Sequence, residues 1–473
     1  MGGSRHTHPT QDDGVLAALS EAVGGPAGER IGPSLWWTPL RVLLGLTAVV
    51  FVLGLVSQSS CVAHQWEDDP TIYRHVCSSE VADSYTGTAL VELSWPWSDD
   101  PGTRSRYPVT DQPALVGLWT YAAARVTHVL AGSPDIEQRY RTSVDDVAAD
   151  PDVRRERTIY MGVNALGLAA LALLTTVALS RLHRRRPWDA AGFAAAPLLA
   201  LTALVSWDLL AVAAVAGALW AWSRSRPVLA GVLVGVGAAA GVWPALLVVA
   251  FLLDSVRRHR LPDVLPVAVT GTAVWAAINA PAFLSGRAQW ERFWSLATHH
   301  EPNGSLWVVL ADVADLGGGT ARVLSWVLLA GWLAGVVVLA LRSRVVPRPA
   351  QVALLLVAGP LLLAVSYEPH QALWLLPLAA LARPRWRDLL VWQAGEVLFL
   401  ALDSWYRGGV LDPGGDGPPG FYWIGIGVHL AATGYLVAVV VRDVWWAPDD
   451  PVSEERGPDR GQLMSMESND VAV

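Results

Sequence analysis

The chain is 473 residues long, 53% hydrophobic and only 16% charged, with a formal net charge of −8. Soluble domains carry about 25% charged residues, so this balance excludes an ordinary soluble globule and points to an all-α polytopic membrane protein. The chain has no lysine, which excludes a phosphate-binding P-loop and a Schiff-base nucleophile; any bound phosphate falls to arginine, histidine or backbone amides.

Residues 1–34 are polar and contain Gly and Pro, and they read as a disordered N-terminus. The first apolar run, residues 35–56, lacks a small-residue cleavage site and reads as a signal anchor. A polar segment follows over residues 58–158. It holds both cysteines, Cys61 and Cys77, and the acids Glu67, Asp68, Asp69, Glu80, Asp83, Glu92, Asp99, Asp100 and Asp111. Within it, residues 113–131 are apolar but carry Arg125 and His128, the pattern of an amphipathic helix lying in the outer interface. Trp95-Pro96-Trp97 reads as exposed and able to stack on a sugar.

The later apolar runs, from residues 159–179 to residues 421–441, give about twelve spans when each takes a membrane-length helix or a shorter broken one. Residues 228–253 must turn back near Gly241–Pro244, because proline breaks a helix. Arginines cluster after alternate runs: Arg181 to Arg186, Arg224 and Arg226, Arg257 to Arg260, Arg342 to Arg348, Arg383 to Arg387, and Arg442. By the positive-inside rule these ends are cytoplasmic, which places both termini inside and residues 58–158 outside. Residues 35–446 then form the transmembrane domain and residues 447–473 a disordered cytoplasmic tail. In an oxidising external space Cys61 and Cys77 are expected to be bonded.

That topology gathers polar residues on the external face: Glu80 and Asp83, Asp208, then His299, His300 and Glu301, then Glu368 and His370. Each has a plain alternative. Asp208 serves equally as a helix cap, and the others as solvated loop residues. Ionisable groups near membrane depth are costly and usually face a cavity or a partner, so their convergence favours a site. Trp207, Trp243 and Trp374 read as interfacial anchors. No metal-ligand Cys/His spacing and no basic patch suited to nucleic acid is present.

The order of Cys77-Ser78-Ser79-Glu80, Tyr107-Pro108, Trp207-Asp208-Leu209, Gly304-Ser305-Leu306-Trp307 and Leu373-Trp374-Leu375-Leu376-Pro377 resembles glycosyltransferase family 87, actinobacterial GT-C enzymes that use polyprenol-phosphate sugars. The resemblance implies an inverting transferase in the plasma membrane. Its donor is a polyprenyl-phosphate sugar, with mannose first and arabinose second. Its acceptor is an envelope glycolipid or polysaccharide. Glu80 is implied as the base, assisted by Asp208, with Asp83, Arg106, His299, His300, Glu301, Glu368 and His370 around the substrates. No cofactor is singled out, a divalent metal stays open, and the partners are the lipid-linked donor, the acceptor and membrane lipids. Glu80 stands where the family carries Asp, and Arg106 where it carries an acid before Tyr-Pro. These departures keep an inactive envelope-assembly paralogue as the alternative, with a secondary transporter behind it, since no matching halves are visible.

Overall fold

The computed structural model describes residues 13–23, 36–64, 71–107, 111–183, 185–298, 301–411, 419–446, 450 and 452. His299, His300, Pro108 and the acids Glu67, Asp68 and Asp69 lie outside the described residues. Among the described residues, regular structure is helical apart from a single bridge between Asn303 and Ser366.

The chain opens with α1 (Gly14–Val23) and α2 (Pro39–His64). Six short or medium helices follow: α3 (Thr71–Arg74), α4 (Glu80–Gly87), α5 (Pro101–Arg106), α6 (Ala114–Leu130), α7 (Ile136–Arg141) and α8 (Val144–Ala149). The long α9 (Pro151–Leu182) leads to the pieces α10 (Ala191–Ala194) and α11 (Pro197–Thr202), then to α12 (Leu209–Ser223), α13 (Pro227–Ala240), α14 (Leu246–Arg257) and α15 (Val264–Ser285). The remainder is α16 (Arg287–Thr298), α17 (Leu306–Ala314), α18 (Gly318–Arg342), α19 (Pro349–Leu363), α20 (Ala372–Ala382), α21 (Trp386–Arg407) and α22 (Gly420–Trp445).

Among the described residues, five helices are long and apolar enough to cross a membrane: Pro39–Ser59, Pro151–Leu182, Leu261–Ser285, Gly318–Arg342 and Gly420–Trp445. Shorter apolar helices, among them α12, α13 and α19, pack between them. The break after α13 falls at Gly241, and a 3₁₀ turn over Trp243–Ala245 restarts the chain into α14. α13 and α15 approach closely: a Cβ at Gly235 would stand 2.4 Å from the Gly271 carbonyl oxygen, so only glycine permits that contact.

Polar anchors inside the bundle are paired, as low-dielectric surroundings demand. Arg383, fully buried, meets Asp388 (2.7 Å) and Asp443 (2.8 Å). Thr47 of α2 shares a 2.7 Å hydrogen bond with Thr176 of α9.

Several sequence-based expectations need correction. Residues 14–23 are helical rather than disordered: Asp13 Oδ1 accepts from the Val15 and Leu16 amides, and Asp13 Oδ2 accepts from the Trp386 amide at 2.8 Å. Asp450, in the tail, is buried and paired with Arg348 at 2.8 Å. The polar loop is shorter than residues 58–158. α2 runs on to His64, and α9 starts at Pro151, where the Asp150 side chain caps the Asp152 amide and proline suits the first turn. Trp97 is buried with Ala114 and Ala282 rather than exposed.

Candidate functional site

Cys61, near the end of α2, is disulfide-bonded to Cys77, with the Cα atoms 6.1 Å apart. This pins the segment that enters α4. Ser79 caps that helix: its Oγ accepts from the Ala82 amide and donates to the Leu204 carbonyl at 2.6 Å. Glu80 is therefore fixed in the first turn of α4, against the stretch that carries Asp208.

Asp208 precedes α12 but does not cap it. Its Oδ2 instead accepts from Ser206 Oγ at 2.8 Å and faces His370 Nε2 at 3.6 Å. Capping, the plain alternative for this residue, is ruled out by that geometry. Trp207, beside it, donates its indole N–H to Asn164 Oδ1 at 3.0 Å, and Trp119 of α6 donates to the same oxygen at 2.9 Å. One asparagine thus ties the loop helix α6 and the Asp208 segment to α9.

His370 and Glu368 occupy a tight turn between α19 and α20. Tyr367, at its base, is buried, donates to Glu396 Oε2 at 2.9 Å and stacks on His429 at 3.8 Å. The Tyr367 amide donates to the Asn303 carbonyl at 2.8 Å. Gly304 has φ +58°, and a Cβ there would lie 2.1 Å from the Tyr367 carbonyl oxygen. Only glycine meets both demands. Glu368 accepts from Asn303 Nδ2 and from Arg407 Nη2, the latter at 2.7 Å.

These residues meet around three cavities. The largest, about 600 Å³, has mostly apolar walls that include the stacked pair Trp243 and Trp374 (5.4 Å apart), and it is lined by Glu80, Asp208, His370 and Arg322. A second, about 330 Å³, is more polar than the first and takes in Glu80, Asp83, Arg104, Asp111, Gln112 and Trp207. The third, about 130 Å³, holds Glu80, Asp83, Glu368, His370, Asp403 and Arg407. Glu80 lines all three.

Burial raises the Glu80 carboxyl above its ordinary value; Asp208, Asp111 and Glu368 add to the rise, and His370 opposes it. The side chain is reached by solvent through the cavities, yet protein atoms crowd it on most sides, which is why burial still dominates. Burial alone would lower the His370 pKa, but Asp208, Glu80 and Glu368 outweigh it and raise the value. The pair is thus a carboxylate of increased basicity beside an imidazole biased toward its charged form.

The remaining sequence-derived candidates are spread more widely. Asp83 lines two of the cavities and meets Arg157 at 2.8 Å. Arg106 is committed elsewhere: its guanidinium binds buried Glu92 and the carbonyls of Thr142 and Arg139. Glu301 is exposed and lines none of the three cavities. Among the described residues no group of three or more His, Cys, Asp or Glu side chains is arranged to hold a metal ion.

Two participants escaped the sequence reading. Arg322 lies near the start of α18, lines the main cavity, and has a buried Nε without a hydrogen-bond partner. It forms no ion pair among the described residues. Its signal was an arginine at the supposedly external end of an apolar run, against the charge rule that sorted the other arginines. Arg407, at the end of α21, bridges Glu368 and Asp403. Trp207 and Trp243, read as interfacial anchors, are buried cavity walls.

A family model matches residues 155–366. It is that of glycosyltransferase family 87. The family 87 match begins on α9, contains Asp208 and Arg322, and stops at Ser366, just short of Glu368 and His370; Glu80 lies before it. Together with five apolar helices of membrane length, it indicates a membrane glycosyltransferase, with a sugar donor and a glycan acceptor as its substrates. No curated protein matches the chain.

Proposed function

We propose that this glycosyltransferase moves a mannosyl unit from a polyprenyl-phosphate donor to a hydroxyl of an envelope glycolipid or glycan, on the external face of the plasma membrane and with inversion. One observation carries the reading: Glu80, a carboxylate of raised basicity, stands where an apolar-walled cavity meets a polar one. The apolar cavity suits the prenyl end of a lipid donor and the polar one an acceptor sugar. The choice of mannose rests on the family resemblance alone. Twelve crossings, with both termini on the arginine-rich side, is the topology that accompanies this reading.

The chemistry needs one displacement. The acceptor hydroxyl gives its proton to a Glu80 oxygen as its own oxygen bonds the anomeric carbon. On the opposite side of that carbon the bond to the phosphate oxygen breaks, and its electron pair leaves with the polyprenyl phosphate. A lipid phosphate leaves without being protonated, so no second carboxylic acid is required, unlike the pair in a glycosidase. The extra negative charge on the phosphate is met by Arg322 and by the imidazolium of His370. Asp208, 3.6 Å away, favours the charged form of His370.

The test is Glu80→Gln. Transfer from a synthetic polyprenyl-phosphate mannose should fall by about 10²–10⁴-fold, the usual worth of a general base, while membrane insertion stays intact. Unchanged transfer removes Glu80 from the mechanism. Envelope glycolipids compared with and without the gene test the wider reading; an unchanged profile favours a scaffold or a transporter.

A further inference from the structure

A separate cavity of about 530 Å³ lies at the other end of the bundle. α12 runs from Asp208 at the candidate site to Ser223 on this cavity's wall, a rise of roughly 22 Å for its fifteen residues. Strand-like alternation is absent here; instead helix ends converge, and α9, α12 and α14 all finish at the rim.

We propose that this cavity binds the phosphate of an anionic phospholipid headgroup, on the membrane face opposite the reaction. Four arginines line it, Arg185, Arg258, Arg260 and Arg348, against two aspartates, Asp254 and Asp263. Arg348 is already engaged, by Asp450 and by the carbonyls of Leu381 and Ala382, and forms a closed floor. Arg258 and Arg260 meet Asp254 and Asp263 through Nε, at 2.7 and 3.1 Å, which leaves the Nη ends of both forks for a ligand. Arg185 is exposed and pairs with no carboxylate among the described residues.

A second, independent observation points to a ligand. Ser255 lines the cavity, is 1% exposed, and its hydroxyl has no hydrogen-bond partner. A buried hydroxyl without a partner costs free energy that a bound acceptor oxygen recovers. Guanidinium forks and a hydroxyl donor together match a phosphate, whose oxygens only accept. Besides His183, Ser223 and Ser225, the wall carries apolar Leu182, Leu219, Trp222, Pro227 and Val452, so the phosphate sits beside a surface for glycerol and the first acyl carbons. A free phosphate would use the same donors and leave that apolar surface bare.

The experiment uses the full-length protein in detergent and native mass spectrometry with three probes: dioleoyl phosphatidylglycerol, dioleoyl phosphatidylcholine and inorganic phosphate. The variant is Arg185→Gln/Ser255→Ala, which removes one unpaired cation and one unpartnered hydroxyl and so leaves the fold intact. The expected result is phosphatidylglycerol binding at least tenfold tighter than phosphatidylcholine, and weakened at least tenfold in the variant. Inorganic phosphate binding as tightly as phosphatidylglycerol, and lost in the variant, overturns the lipid assignment and gives the site to the free anion. Equal binding of both lipids, or equal binding by wild type and variant, overturns the proposal. Glycosyl transfer is not read, so failure here is distinct from failure of the proposed function.

Discussion

Arg322→Met is the sharpest probe of the candidate site. The arginine is half-buried on the wall of an apolar cavity, its Nε has no hydrogen-bond partner, and it forms no ion pair among the described residues. Holding a cation in that state costs stability, so an apolar side chain of similar length should leave the melting temperature unchanged or raise it. Transfer should move the opposite way. A unit charge about 4 Å from the departing phosphate is worth roughly 4 kcal/mol at an effective dielectric of 20. Removing a single donor to a developing anion costs about 10²–10³-fold in comparable enzymes. The loss should appear mainly in kcat, because the phosphate gains charge only as the bond breaks. Arg322→Lys should restore part of the rate, a point charge replacing a fork. The assay pairs initial rates on a synthetic short-chain donor with thermal unfolding of the same purified sample. Undiminished transfer in Arg322→Met, or a loss that merely tracks a fall in melting temperature, refutes the reasoning.

Acid should switch the enzyme off through Glu80, which accepts a proton only when ionised; kcat/KM should fall as pH drops through its raised pKa, above that of an ordinary glutamate. His370→Gln removes the charge that opposes that rise, so the acid limb of the pH–rate profile should shift to higher pH; a limb that stays in place means that His370 does not act on Glu80. Cys77→Ser opens a bridge spanning 16 positions and should cost about 3 kcal/mol of stability by the chain-entropy estimate, read as a lowered melting temperature that reductant reproduces in the wild type. Gly304→Ala should destabilise by more than about 2 kcal/mol, because it combines a positive φ with a blocked approach to Tyr367; near-normal unfolding of this variant would show that the turn relaxes.

Much of the helical framework was legible because long apolar runs and arginine clusters are local signals. The break at Gly241 and Pro244 was legible for the same reason, since two residues there oppose a helix. Glu80, Asp208 and His370 could be proposed as converging because each sits next to a turn on one face, and the structure does bring them to one cavity. What the sequence hid depends on partners far along the chain. Arg106 reads from sequence as a substrate contact, but Glu92, fourteen residues earlier, holds its guanidinium. Trp207 and Trp243 carry the composition of lipid-facing anchors, and only packing against α9 and α20 turns them inward. α1 was hidden because it docks on α21, anchored by the hydrogen bond from the Trp386 amide to Asp13, 373 positions away.

The meeting of two dissimilar cavities at one carboxylate has a kinetic consequence. On the proposed function, a lipid donor and an acceptor sugar that reach Glu80 through different walls have no need to pass one another. Neither product must leave before the other substrate enters, and no sugar has to wait on the protein between two half-reactions. Initial-velocity plots at varied donor and acceptor should therefore intersect rather than run parallel, and spent lipid should inhibit competitively against donor while leaving acceptor saturation unaffected in kind.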